Sequence, residues 1–161
     1  MLQGLKPDYQ VSHFQEISAS WLKKKGKICL ICDIDNTLCV HDEIMTQKVA
    51  DYLLGLEEQG IRVILVSNNT RKRVDEFLNQ KVFDTYSFAL KPLPFTYCRI
   101  RKKVGLDKKK MICMGDQLFT DILGGKFFGI STILCEPLSE KDIIYTRLTR
   151  WLENLILKRK R

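Results

Sequence analysis

The chain has no apolar run approaching the ~20 residues of a membrane span, so no transmembrane helix is expected. Its amino terminus lacks a contiguous apolar h-region, and no secretory signal is expected. Only one CxxC occurs, Cys29 to Cys32, with no second pair at zinc spacing. Three residues apart in a strand, those two thiols face opposite sides. Cys29, Cys32, Cys39, Cys98, Cys113 and Cys135 are therefore read as free thiols, mostly buried. That usage fits a reducing, cytoplasmic compartment. No internal repeat, low-complexity segment or long linker divides the 161 residues, so 1–161 reads as a single domain. Acidic groups are the minority, 19 against 27 Lys and Arg, giving a net charge of +8. A basic surface favours nucleic acid, acidic lipid or phosphorylated substrates, and does not choose among them.

What is present is organised around Lys27 to Val40, KICLICDIDNTLCV. Ile28-Cys29-Leu30-Ile31-Cys32 is a short unbroken apolar run. It suits a strand buried on both faces of a parallel sheet. The run ends in Asp33-Ile34-Asp35-Asn36-Thr37. Residues i and i+2 of an extended chain point the same way. Asp33 and Asp35 are therefore expected to face the space beyond the strand's carboxyl end, where open α/β sheets hold ligands. Two carboxylates that close repel, and each is costly to desolvate alone. A hard cation such as Mg²⁺ would relieve both problems. A polar turn is the plainer reading, since Asp, Asn and Thr are turn formers.

Along the rest of the chain, strands alternate with helices. A helix is expected from about Val11 to Lys24, with Val11, Phe14, Ile17, Trp21 and Leu22 at helical spacing. It either packs on the sheet or lies on an anionic membrane, with Phe14 and Trp21 dipping into the interface. His41 falls in a loop near the Asp33 region. Thr46 to Gln59 reads as a second helix. Ile61 to Val66 is a strand ending in Ser67-Asn68-Asn69-Thr70, which can hold phosphate oxygens or simply cap the basic helix that follows. Tyr86 to Leu90 reads as a strand ended by Lys91-Pro92. Pro94 to Val104 is a basic helix. Met111 to Met114 is a strand ending in Gly115-Asp116-Gln117, followed by Thr120-Asp121. Gly124-Gly125 is expected to break or loosen the next helix, and Ile130 to Leu134 is a fifth strand. An amphipathic helix over about 139–160 ends in a basic tail. The sum is a doubly wound α/β domain, five parallel strands with helices on both faces.

Four strand ends thus collect Asp33 and Asp35, Ser67, Lys91, and Asp116 with Asp121. These supply a nucleophile, an acid/base, a phosphate-binding hydroxyl, a cation and metal carboxylates, the parts phosphoryl transfer needs. Asp33-Ile34-Asp35-Asn36-Thr37, Ser67-Asn68-Asn69, Lys91-Pro92 and Gly115 to Asp121 resemble the four ordered motifs of the haloacid dehalogenase (HAD) superfamily. Leu5-Lys6-Pro7-Asp8 and Asp121-Ile122-Leu123-Gly124-Gly125 narrow the resemblance to the YqeG-type branch of subclass IIIA. That branch includes mitochondrial-type phosphatidylglycerophosphate phosphatases. The resemblance implies a Rossmann-like core with strand order 5-4-1-2-3. It implies Asp33 as nucleophile, forming an aspartyl-phosphate, and Asp35 as general acid and then base. It implies Mg²⁺ held by Asp33, the Asp35 backbone carbonyl and Asp116. Asp121 would hold the metal's waters or position Lys91, with Thr37 in support. Ser67 and Asn68 would bind phosphoryl oxygens, and Lys91 would neutralise charge.

One departure from the branch is Cys39, where an aliphatic residue is usual, which touches packing and not chemistry. The segments after the first two motifs are too short for a folded cap. An open site suits a phosphomonoester anchored elsewhere, such as an anionic phospholipid met by peripheral membrane contact. Three rivals stand beside that reading. A receiver-type phospho-acceptor conflicts with the Asp-x-Asp spacing. A basic nucleic-acid-binding module lacks an RNA motif or aromatic platform, so nucleic acid is not the expected partner. The third is a phosphatase of a soluble metabolite or phosphoprotein.

Overall fold

The computed structural model describes residues 6–139. The helix expected over 139–160 and its basic tail fall outside that span, Ser139 excepted.

Six parallel strands form one sheet. They are β1 (Tyr9–Val11), β2 (Cys29–Asp33), β3 (Arg62–Val66), β4 (Asp84–Tyr86), β5 (Met111–Gly115) and β6 (Ser131–Cys135), in the order β1-β6-β5-β2-β3-β4. The five expected strands keep their expected order, with β2 central. The sixth, β1, is added at the edge beside β6, pairing Tyr9 with Ile133 and Val11 with Cys135.

Alternation sorts each central strand onto two cores. Leu30 and Cys32 of β2 join Val63, Leu65, Ile112 and Met114 on one face. That face is covered by α1 (Ala19–Lys24), α2 (Gln47–Glu58) and α3 (Arg71–Leu78). Cys29 and Ile31 join Ile64, Val66, Met111 and Cys113 on the other, under α4 (Phe95–Val104) and α5 (Leu123–Phe128). The Cys29 and Cys32 thiols accordingly lie on opposite faces. All six cysteines are free, and only Cys98 is exposed.

Three local expectations are corrected. The helix expected from Val11 to Lys24 is in fact strand β1, a 3₁₀ turn at Phe14–Glu16 and the short α1. The Ser18 side chain accepts from Trp21 N, and caps α1 where the continuous pattern predicted mid-helix. Phe14 is buried in the core, so it does not face a membrane. The strand expected to run to Leu90 stops at Tyr86. Beyond it, Phe88 N donates to Asn69 O and Ala89 N to Ser67 O, which folds the chain over the end of β3. Finally, Gly124 and Gly125 do not break a helix but lie inside α5. A methyl on Gly125 would overlap Cys113 Sγ and stand 2.8 Å from Thr132 Cγ2. The two glycines let α5 approach the sheet.

Only residues 34–46 separate β2 from α2, and only 67–70 separate β3 from α3, so among the described residues no cap domain covers the carboxyl end of the sheet. No helix among the described residues is long and apolar enough to cross a membrane.

Candidate active site

The site forms where β2, β3 and β5 end. Asp33 is the last residue of β2, and its carboxylate receives Lys91 Nζ at 2.5 Å. The same ammonium reaches Asp121 Oδ1 at 2.6 Å and Val66 O at 3.4 Å. Lys91 is brought there from the loop after β4. The Asn68 amide holds its backbone at both ends, accepting from Lys91 N at 2.8 Å and donating to Lys91 O at 3.1 Å. Asn68 was expected to bind phosphate; its side chain lies on the lysine's main chain.

Asp116 follows β5, and Asp121 sits on the π-helical turn Leu118–Ile122. Gln117 N donates to Asp121 Oδ2 at 3.2 Å and aims that carboxylate back at the site. Gly115 is required here, because a methyl on it would overlap the Asp121 side chain. Carboxylate oxygens of Asp33, Asp116 and Asp121 all lie within 4.8 Å of one another; Asp116 and Asp121 are buried and the Asp33 side chain is nearly so. Thr37 Oγ1 spans two of them, 3.4 Å from Asp33 Oδ2 and 3.5 Å from Asp116 Oδ1.

Burial dominates the electrostatics. It raises the Asp33 carboxyl well above the ordinary range; Lys91 opposes the rise and Asp121 adds to it. For Lys91 burial works against the charged form, but Asp121 and Asp33 outweigh it and hold the ammonium protonated. With all three carboxyls ionised, three carboxylates and one ammonium carry two net negative charges, which burial disfavours and a divalent cation would balance. All the donors are hard oxygens. That set fits one divalent cation of the Mg²⁺ kind.

Asp35 is treated differently. Its carboxylate is not in the acidic group; it accepts from Asn69 Nδ2 at 2.9 Å and from an Arg73 terminal nitrogen at 2.8 Å. His41 Nδ1 stands 3.7 Å from Asp35 Oδ1. The expected clash of Asp33 and Asp35 is thus relieved by two separate protein cations, Lys91 and Arg73. Ser67 is buried, and its Oγ accepts from Asn69 N at 3.0 Å. The cap of α3 is Thr70, whose Oγ1 accepts from Arg73 N, so Ser67 is not needed for that task.

Arg73 and Asn69 were missed in the sequence. A signal existed for Arg73. Arg71-Lys72-Arg73 places three cations in the first turn of a helix, where the helix dipole disfavours them. Local misfits of that kind mark sites whose charge is wanted elsewhere.

Similarity to known proteins agrees with this geometry. A family model described as haloacid dehalogenase-like hydrolase matches residues 6–129. A Bacillus subtilis (strain 168) protein named probable phosphatase YqeG is 35% identical over 152 residues, covering 94% of this chain and 88% of that one. Among solved structures, a putative HAD superfamily (subfamily III A) hydrolase from Legionella pneumophila superposes with a TM-score of 0.50 at 24% identity. The match covers 60% of this chain and 59% of that one. The N-terminal part of BF1531 from Bacteroides fragilis, which contains a phosphatase domain complexed with Mg, gives a TM-score of 0.53 at 16% identity, over 80% and 41%.

Proposed function

We propose, for a chain that belongs to the haloacid dehalogenase-like hydrolase family and is a phosphatase of that family, a Mg²⁺-dependent hydrolysis of phosphomonoesters through an aspartyl-phosphate on Asp33. The observation that carries this mechanism is the division of labour between two carboxylates two residues apart. Asp33 sits among carboxylates beside Lys91, while Asp35 is held apart by Asn69 and Arg73. The separate partners let each carboxylate be positioned on its own, and the motif resemblance assigns Asp33 as nucleophile and Asp35 as acid and base.

In the first step an Asp33 oxygen attacks phosphorus and the P–O bond to the leaving group breaks. Asp35 gives its proton to the departing alkoxide. In the second step Asp35, now a carboxylate, takes a proton from water. The hydroxide attacks phosphorus, the acyl-phosphate bond breaks, and inorganic phosphate leaves with Asp33 restored. Lys91 faces the charge that grows on the phosphoryl oxygens, and the Ser67 hydroxyl binds one of them. Asp33, Asp116 and the Asp35 carbonyl would hold the metal, with Asp121 fixing Lys91 and Thr37 bracing Asp33 and Asp116. A bound Mg²⁺ supplies charge neutralisation and orientation of the phosphoryl group.

The substrate we propose is an anionic phospholipid ester, phosphatidylglycerophosphate. Its support is the motif resemblance to the YqeG-type branch and the uncapped site mouth among the described residues. The test is phosphate release from that lipid in mixed micelles and from soluble phosphomonoesters. Each assay is run with Mg²⁺, with chelator, and with Asp33→Asn. Release that needs Mg²⁺ and Asp33 and favours the lipid is expected. Turnover of soluble esters alone would remove the lipid and keep the mechanism. Release that survives Asp33→Asn would overturn the mechanism.

A further inference from the structure

Eight large apolar side chains are exposed among the described residues, and four of them fall between residues 88 and 95. Phe88, Leu90, Leu93 and Phe95 are 59%, 60%, 46% and 62% exposed. The segment is the one that delivers Lys91. Ala89 and Lys91 point inward and are buried, while their neighbours Phe88 and Leu90 point out.

The backbone makes this arrangement deliberate. Phe88 has φ of 47° and Leu90 φ of 55°, the left-handed region that bulky side chains avoid. Asparagine or glycine would serve the same backbone with less strain. The conformation is nevertheless firmly held. Phe88 N donates to Asn69 O at 2.9 Å, Ala89 N to Ser67 O at 3.1 Å, and Thr96 Oγ1 to Ala89 O at 2.9 Å. Strain kept in place beside a reaction centre, and used to leave phenylalanine and leucine in water, signals a surface with a partner.

Charge narrows the partner. Helix α4 starts at this rim and has no acidic residue; Arg99 lies over the Tyr86 ring near the rim, while Arg101, Lys102 and Lys103 belong to its last turn, where Lys103 pairs with Asp84 at the start of β4. The first turn of α3 adds exposed Arg71 and Lys72 at the same end of the sheet. Apolar side chains flanked by Arg71, Lys72 and Arg99 fit the interface of an anionic bilayer. A second copy of the chain seated here would close the mouth of the site, whereas a membrane presents substrate to it.

We propose that residues 88–95 form an apolar rim that enters the interface of an anionic membrane and seats Lys91 at headgroup depth. The surface is distinct from the amino-terminal segment, whose Phe14 is spent on the core. The inference rests on the phosphatase reading for its biological sense, but its test requires no catalysis.

The full chain is sedimented with vesicles of phosphatidylcholine alone and of phosphatidylcholine with phosphatidylglycerol. Binding to the anionic vesicles that weakens with salt is expected. Phe88→Asn with Leu90→Asn should lower partition at least about tenfold, because two large apolar side chains leave the interface. Its melting temperature should not fall, because asparagine tolerates φ above zero. Val82→Asn, at an 89% exposed site where α3 leads into β4 at the opposite, amino end of that strand, should partition like the parent. Should the first pair lower the melting temperature, Leu93→Ser with Phe95→Ser replaces it. Unchanged partition in the rim variants, or no preference of the parent for anionic vesicles, overturns the proposal. Dimerisation that the rim substitutions abolish, without vesicle binding, would assign the surface to a second copy and overturn it too.

Discussion

Substituting Arg73 by methionine tests how Asp35 is controlled. The methionine keeps much of the buried aliphatic stem and removes the guanidinium. Asp35 now has two donors, Arg73 at 2.8 Å and Asn69 at 2.9 Å, and would keep only the second. A hydrogen bond to a charged group contributes roughly 1.5–3 kcal/mol. If that energy serves to place Asp35 against the leaving oxygen, its loss lowers the rate by about 10- to 100-fold. The effect should depend on the ester. An alkyl phosphate needs a proton from Asp35 as its P–O bond breaks, so its turnover should fall by that factor. An aryl phosphate with an acidic phenol leaves with little help, and its turnover should fall by no more than about threefold. The assay is kcat and KM for both esters in parent and variant, with melting temperatures beside them, since Arg73 also donates to Glu43 O at 3.0 Å and steadies that loop. Equal losses for the two esters would refute the reasoning, because a loosened fold harms both alike. No loss for the alkyl ester would refute it as well.

Glycines that look alike in the sequence should respond with opposite signs. Gly125→Ala forces a methyl against Cys113 and Thr132, both fully packed, and should lower stability by about 1–3 kcal/mol. Gly55→Ala, in α2 with nothing within 4 Å of the new methyl, should raise it by about 0.8 kcal/mol; denaturant midpoints compare the two, and equal signs would contradict the packing argument. Asp8 gives a pH-dependent test. Burial pushes its carboxyl up, but Lys126 and Thr132 outweigh that and hold it below its ordinary 3.8. A depressed folded value means the stabilisation is present above pH 3.8 and fades as pH falls through the folded value. The parent should therefore lose stability in acid more steeply than Asp8→Asn, and parallel denaturation curves from pH 7 to pH 3 would count against the role.

The central strands and three of the helices were legible because their signals are local. The apolar run from Ile28 to Cys32 can be little else than a buried strand, and Thr46 and Gly60 bracket α2 in plain view. The side chains that gather at the carboxyl end of the sheet were legible too, since Asp33, Ser67, Lys91 and Asp116 each follow an apolar run. What stayed hidden depends on distant partners. Three residues make strand β1 only because Ile133 to Cys135 lie beside them, and no window around Tyr9 contains that fact. Phe14, Ile17 and Trp21 have helical spacing, yet Ser18 starts the helix late and the earlier residues pack individually. Gly124 and Gly125 read as breakers because the sequence does not show the sheet they press against. The side chain of Asn68 looked available for phosphate until the main chain of Lys91 came to meet it.

The pairing of β1 with β6 also bears on how the molecule comes to exist. A ribosome delivers Tyr9 long before Ile133, yet the two are neighbours in the finished sheet. Strands β2 to β5 can assemble while the later chain is still being made, but the first segment must wait unpaired until the last strand has emerged. Closing so large a loop is slow relative to local contacts. Between the emergence of β6 and that closure, its outer side is a bare row of amide and carbonyl groups, open to pairing with any passing strand. The Asp8 carboxylate, which takes the Thr132 amide at 2.8 Å, is then the clasp that ends the exposure. Loss of the first segment would thus act on the yield of folded protein well before it touched the chemistry at Asp33.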